Sequence, residues 1–102
     1  MEAKRKTLEL LETTLEDWQM MQRTEGDEGA DWAERFEQHF YHFIDALKGW
    51  YDAQETPPKT IEEAEQHPFI QQLSQKLPAP VQLNLINELE DIIDGIEHDY
   101  YD

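Results

Sequence analysis

Residues 31–51 read DWAERFEQHFYHFIDALKGWY, and their aromatic side chains recur at the spacing of one helix face. With successive residues about 100° apart, a sector of about 80° contains six large apolar side chains: Trp32, Phe36, Phe40, Phe43, Leu47 and Trp50. Asp31 precedes Glu34 by three positions, which matches a capping box, so we predict that a helix begins at Asp31. Residues 23–30 contain two glycines and no large apolar side chain, which predicts a flexible loop before this helix.

Helical periodicity also marks the two ends of the chain. A first helix is predicted over residues 4–22. Its apolar stripe consists of Leu8, Leu11, Leu15 and Trp18. A last helix is predicted over residues 80–100, and its stripe consists of Leu85, Leu89, Ile92 and Ile96.

The third predicted helix, over residues 60–77, contains a discontinuity. It begins with a second capping box, made by Thr60 and Glu63. Its apolar residues change phase at His67-Pro68, where proline removes a backbone donor, so we predict that the helix is kinked or broken there. Prolines on both sides of the segment separate it from the second and last helices.

These segments define the fold class. No run of five or six residues alternates between apolar and polar, so no strand is predicted. Four amphipathic helices over residues 4–22, 31–51, 60–77 and 80–100 predict an all-α, up-down-up-down antiparallel four-helix bundle. At 102 residues the chain has room for one core, which predicts a single domain over 1–102. Three helices with a loosely docked kinked segment are the alternative.

Composition excludes several classes of function. The chain has 24 acidic residues against 8 lysines and arginines, a net charge of −16, and no cysteine. Disulfide scaffolds, thiolate metal sites and cysteine nucleophiles are therefore excluded. No signal-peptide core or apolar membrane span is present, so a soluble cytoplasmic protein that does not bind membranes is expected. The negative charge disfavours binding to nucleic acid and favours a basic protein partner.

The side chains that could do chemistry are few. His39 and His42 share one side of the second helix and are weak candidates for metal ligands. No histidine follows a glutamate by three positions, which is the spacing of di-iron bundles, so neither a metal nor a cofactor is predicted. The only serine, Ser74, has no Gly-x-Ser-x-Gly elbow around it. We therefore predict that the protein is not an enzyme.

Partner-binding residues are expected on outer helix faces. Residues 60–102 carry ten acidic residues against the single cation Lys76. Glu88, Asp91 and Asp94 of the last helix project away from or flank its apolar stripe. Tyr41 lies opposite the stripe of the second helix and is a further candidate contact.

Three hypotheses of function follow. The first is a monomer or homodimer that acts by binding a basic protein. The alternative is a bundle that binds a small ligand or a metal through the aromatic core and His39/His42. Nucleic-acid mimicry, in which carboxylates imitate phosphates, ranks below both. The high content of acidic residues is also explained without any partner, as an aid to solubility or an adaptation to salt.

The chain resembles small helical bundle proteins of Bacillus-type bacteria, the YppE-like family. The resemblance rests on the helix end at Gly49-Trp50-Tyr51, a proline-bearing connection, and the Leu/Ile-rich closing helix around residues 85–93. It covers residues 30–98 and implies a four-helix fold in a cytoplasmic setting. The family has no assigned activity, so the resemblance implies no site residues, and the His67-Pro68 break departs from it.

Overall fold

The computed structural model describes residues 2–95, and this part of the chain is built from five α-helices without a strand. They are α1 (Glu2–Arg23), α2 (Gly26–Asp52), α3 (Ile61–Gln66), α4 (Pro68–Lys76) and α5 (Ala79–Asp94). The predicted all-α class is confirmed. Ile96 and the predicted helical residues up to 100 lie outside the described residues. No helix in the described part of the chain is long and apolar enough to cross a membrane.

The chain divides into two compact units, and the division falls between Trp50 and Tyr51. The first unit consists of α1 and nearly all of α2. The second unit contains α3, α4 and α5. The single domain over residues 1–102 stays a prediction.

The first unit is an antiparallel helical hairpin. The ring of Trp18 on α1 lies 5.5 Å from the ring of Phe36 on α2. One residue earlier on α1, the carboxylate of Asp17 is hydrogen-bonded to His39, three residues later on α2. The earlier residue on α1 thus contacts the later residue on α2. The two helices therefore run in opposite directions.

The turn between α1 and α2 corrects the predicted loop over residues 23–30, which was wrong. Only two residues separate the helices, and α2 begins at Gly26 rather than at Asp31. Gly26 has a φ of +62°, in the left-handed region that glycine adopts without strain. A Cβ atom on Gly29 would lie 3.3 Å from the carbonyl oxygen of Thr24. The two glycines therefore allow a tight turn instead of breaking the helix.

The buried face of α1 differs in phase from the predicted stripe. The buried residues of α1 are Thr7, Leu11, Thr14 and Asp17. Leu8 and Leu15, which were predicted in the core, are only half-buried. The hydroxyls of Thr7 and Thr14 donate to carbonyl oxygens four residues earlier, at 2.6 and 2.8 Å. Since each hydroxyl is satisfied by its own helix, burying a threonine costs little here.

The aromatic stripe of α2 is buried over its second half. Its buried residues are Phe40, Phe43, Ile44, Leu47 and Trp50. Trp32 and Phe36, nearer the turn, are half-buried. The guanidinium of Arg35 lies 4.6 Å from the centre of the Trp32 ring and makes a cation–π contact with it.

In the second unit, two helices occupy the third predicted segment. The predicted capping box at the start of α3 is confirmed, because Thr60 Oγ1 accepts a hydrogen bond from the Glu63 amide at 3.2 Å. His67 follows the last residue of α3, and its ring accepts a hydrogen bond from the Phe69 amide at the start of α4. α3 packs against both α4 and α5. The apolar core of this unit consists of Ala64, Phe69, Ile70, Leu73, Leu77, Val81, Leu85, Leu89 and Ile92.

Candidate interaction surface

The predicted acidic contacts lie along one side of α5. We define the acidic face as Glu88, Asp91 and Asp94, which follow one another at intervals of three residues. Asp94 is exposed, and Glu88 and Asp91 are half-buried. Leu85, Leu89 and Ile92 form the buried side of the helix. Glu88 borders this buried side, whereas Asp94 lies opposite to it.

The acidic face opposes the dipole of its own helix. The C-terminal end of a helix carries a partial negative charge, so a carboxylate in the last turn is destabilising by about 0.3–1 kcal/mol. Asp91 and Asp94 both stand in the last turn of α5, which contains no basic residue. The helix ends at Gly95, whose φ is +78°. The helix dipole therefore gives no stabilising role to the two aspartates.

Negative charge prevails over residues 60–95 of the second unit. Residues 60–95 contain seven carboxylates, and Lys76 is the only lysine or arginine among them. Tyr51 responds to this field. Burial raises the pKa of its phenol, and the negative charges of Asp52 and Glu63 raise it further. The hydroxyl of Tyr51 donates to the carbonyl oxygen of Pro58 at 2.7 Å, which favours the protonated phenol.

Tyr41 belongs to the first unit, whereas the acidic face belongs to the second. Its side chain is half-buried, not fully exposed. Its ring centre lies 5.7 Å from that of Phe40, in an edge-to-face arrangement.

The two candidate metal ligands of α2 differ in their surroundings. The rings of His39 and His42 are adjacent, with their centres 6.3 Å apart. Nδ1 of His39 is hydrogen-bonded to Asp17, whose side chain is 7% exposed. Within residues 2–95, no group of three or more His, Cys, Asp or Glu side chains is arranged to hold a metal ion. His39 and Asp17 form a polar contact between α2 and α1.

Sequence reasoning missed Asp17 as a buried polar residue. A single carboxylate beside an apolar stripe gives no periodic signal, and acidic residues are rarely buried without a partner. The one available clue was His39, which flanks the core and requires a hydrogen-bond partner. Nothing in the sequence shows which acidic residue of the preceding helix provides it.

Each unit also has a groove on its surface. In the first unit, a groove of about 490 Å³ is lined by Leu10, Ala46 and Gly49, with Lys6, His42 and Asp45 as its polar residues. In the second unit, a groove of about 420 Å³ runs between α4 and α5. Its apolar lining includes Ile70, Ile86 and Leu89, and its polar lining includes Glu65, Gln71 and Gln75. Neither groove was predicted, because neither depends on a periodic pattern within a single helix.

Comparison with known proteins adds no assignment to these features. No protein-family model, no curated protein and no solved structure matches the chain. The function is therefore inferred from the side chains of this chain and their placement.

Proposed function

We propose that the protein acts by binding a basic protein, with the acidic face of α5 as the principal contact and Tyr41 as a further one. The observation that carries the proposal is the imbalance of seven carboxylates against one lysine over residues 60–95. Opposite potentials on two partners speed their encounter and suppress binding to wrong partners. The carboxylates of Glu88, Asp91 and Asp94 provide such a potential on a helix whose other side is buried.

The position of the aspartates supports a role other than stability. Asp91 and Asp94 stand where the dipole of a helix disfavours negative charge, so the dipole of α5 does not account for their presence. A contact with a cationic partner would offset this cost in the complex.

The proposal includes the wider character of the protein. The helices form an up-down-up-down four-helix bundle when α3 and α4 are counted together as one broken helix. The protein is a cytoplasmic member of the YppE-like family, a monomer or homodimer, and it catalyses no reaction. Its partner is a protein, and it binds neither nucleic acid nor membranes.

The test compares two triple variants that remove the same charge from different places. The first is Glu88→Gln/Asp91→Asn/Asp94→Asn. The control variant changes three exposed glutamates of α1 to glutamine: Glu9, Glu12 and Glu16. The probe is an immobilised peptide rich in lysine and arginine, and surface plasmon resonance measures its association rate over a range of salt concentrations.

The acidic-face variant is expected to associate more slowly, with a shallower salt dependence and an equal or higher melting temperature. The control variant is expected to lose less of the association rate. Equal losses in the two variants would mean that net charge alone attracts the peptide. That result would remove the acidic face from the proposal.

A second candidate function is the binding of a small ligand in the groove of the first unit. Its volume of about 490 Å³ falls within the usual range of ligand pockets. Lys6, Asp45 and His42 would orient a molecule with both polar and apolar parts. Nuclear magnetic resonance spectra recorded with a library of small amphiphilic compounds test this. Shifts confined to Ala46, Gly49 and their neighbours would support it.

Nucleic-acid mimicry ranks third. It requires a DNA-binding protein as the partner, with carboxylates occupying the groove that receives phosphates. Affinity capture from a host lysate tests it, followed by competition with duplex DNA. Displacement of the captured protein by DNA would support mimicry, and retention of that protein would exclude it.

A further inference from the structure

The groove between α4 and α5 combines an apolar floor with an exposed leucine beside it. Ile70, Leu85 and Leu89 line the groove and are buried, while Ile86 lines it and is half-buried. Leu83 stands three residues before Ile86, about 60° further round α5. It is 67% exposed and is the one large apolar side chain that is exposed in the described part of the chain. Ile86 and Leu83 thus continue the apolar lining towards solvent.

Hydrogen bonds between α5 and the end of α4 fix the two walls of the groove relative to each other. The side-chain amide of Gln82 on α5 donates to the carbonyl oxygens of Ser74 and Leu77 at the end of α4, at 2.7 and 3.1 Å. The Ser74 carbonyl also accepts from the backbone amide of Leu77, so the end of α4 is bonded both to its own chain and to α5. Since the walls are fixed before any ligand arrives, an occupant would bind without the cost of ordering them.

The charges around the groove are negative. Glu65 lines it, and Glu90 is exposed on α5 one turn after Ile86. No lysine or arginine is among the residues that line the groove. Lys76 lies on the side of α4 away from Ile70 and Gln71, by its position on the helix. An occupant that buries apolar side chains here therefore meets carboxylates at the edges.

We propose that this groove binds a cationic amphipathic helix of the partner protein. The apolar side chains of that helix would contact Ile86 and Leu83, and its lysines and arginines would face Glu65 and Glu90. The proposal rests on the proposed function, because it specifies which segment of a basic partner is bound. It also places this contact on α5 opposite Glu88 and Asp91, which lie roughly 140–160° round the helix from Ile86.

A helix is the form of peptide that a groove between two helices favours. A peptide that adds a strand needs the open edge of a sheet, and residues 2–95 contain no strand. A groove between two helices instead receives apolar side chains spaced at i, i+3, i+4 and i+7 along a partner helix.

The experiment uses the full chain and two fluorescein-labelled peptides of the same composition. The first peptide is about 18 residues long, five helical turns, with leucines on one face and lysines elsewhere. The second has the same residues scrambled so that no apolar face remains. Fluorescence anisotropy measures both affinities at about 0.15 M ionic strength, where exposed charges are partly screened.

The amphipathic peptide is expected to bind about tenfold more tightly than the scrambled peptide. A tenfold difference in affinity corresponds to about 1.4 kcal/mol, which we assign to the apolar contacts that only the amphipathic peptide makes. Leu83→Ser/Ile86→Ser is expected to abolish this preference, and Leu83→Ser alone to reduce it severalfold. The matched control Glu88→Gln/Asp91→Asn should weaken both peptides equally and leave the preference intact. Because Leu83 is exposed, its single variant serves as the test if the double variant fails to fold.

The remaining outcomes separate this proposal from the proposed function. Equal affinity for the two peptides, still dependent on the acidic face, would overturn the groove and leave the basic partner standing. Failure of the chain to bind either peptide would overturn both. Sedimentation that shows a dimer converted to a monomer by Leu83→Ser would assign the groove to a second copy of the chain, which also overturns the proposal.

Discussion

The contact between Asp17 and His39 makes an asymmetric prediction about stability. Asp17 is almost entirely buried, with 7% of its side chain exposed, whereas 34% of the His39 side chain is exposed. His39→Ala leaves a buried carboxylate without its imidazole partner. Asp17→Ala leaves an imidazole that water can already reach. The first variant should therefore be the more damaging of the two.

The magnitudes follow from burial. Removing one partner of a fully buried ion pair costs about 3–5 kcal/mol, and leaving a buried neutral group unsatisfied costs about 1–3 kcal/mol. Because water reaches one side of this pair, we expect His39→Ala to lower the free energy of unfolding by about 2–3 kcal/mol. Asp17→Ala should lower it by about 1 kcal/mol. The double variant should lose about 1–2 kcal/mol less than the sum of the two single losses.

Urea denaturation measures these free energies, with circular dichroism and tryptophan fluorescence followed together. Coincident transitions from the two probes establish two-state behaviour. The control cycle uses the neighbouring exposed residues Glu16 and Gln38, each changed to alanine. Their effects should be small and additive to within about 0.5 kcal/mol.

Two results would refute the reasoning. Additive losses for Asp17→Ala and His39→Ala would mean that the two side chains do not depend on each other. A larger loss for Asp17→Ala than for His39→Ala would mean that leaving the Asp17 carboxylate without its imidazole partner is not the main cost of breaking the pair.

The remaining predictions concern single positions and metal content. Gly49→Ala should raise the free energy of unfolding by about 0.5–1 kcal/mol, because the added Cβ meets nothing within 4 Å and alanine favours a helix. Gly26→Ala should lower it by about 1–2 kcal/mol, since a φ of +62° strains alanine. Urea denaturation measures both changes, and a loss of stability in Gly49→Ala or a gain in Gly26→Ala would contradict the reasoning. Tyr51→Phe should cost about 0.5–1.5 kcal/mol near neutral pH through the lost bond to Pro58. The fold raises the pKa of Tyr51 above its unfolded value of about 10. The stabilising effect of the protonated phenol is therefore complete below the unfolded pKa and is lost as the pH rises through the folded pKa. Wild type should consequently lose stability in alkali relative to Tyr51→Phe. Leu89→Ala, at a residue 1% exposed, should cost about 2–5 kcal/mol, and an unchanged melting temperature would remove Leu89 from the core. Elemental analysis of the purified protein should find no stoichiometric metal; one zinc or iron ion per chain, lost in His39→Ala, would contradict this.

Long periodic segments were predictable from the sequence, and particular residues show why. The burial of Phe43 and Leu47 in α2 was predictable because six large apolar residues recur on one face of this helix. The capping box at Thr60 was also predictable, since its hydrogen bonds join residues only three positions apart. Each of these signals is local, so neither depends on which helices become neighbours.

The failures of prediction have the opposite origin. Thr7 and Thr14 are buried because their hydroxyls bond to their own helix, and a hydropathy pattern counts them as polar. Gly29 reads as a helix breaker, yet its missing side chain admits the carbonyl of Thr24 at the turn. Asp17 is buried only because His39, more than twenty residues later, returns to its side. These features depend on tertiary contacts that one helix cannot reveal.

The candidate surface divides in the same way. The exposure of Asp94 and the burial of Leu89 follow from their positions on one helix and were predictable. The groove beside Ile86 was not, because it requires α4 and α5 to be held together by Gln82. A binding site that lies between helices is therefore less visible in the sequence than one that lies on a single helix.

His67 gives the corner between α3 and α4 a chemical sensitivity that the usual N-cap residues lack. Its Nδ1 accepts the amide hydrogen of Phe69 at 3.1 Å, so the neutral ring must carry its proton on Nε2. An imidazolium has two N–H donors and no acceptor, and serine or aspartate in the same place would keep an acceptor over a much wider range of acidity. Protonation of this one ring would remove the cap that begins α4, an interaction typically worth about 1 kcal/mol. The tautomer is directly visible in the nitrogen chemical shifts of the ring, which makes His67 a built-in reporter on the integrity of this corner.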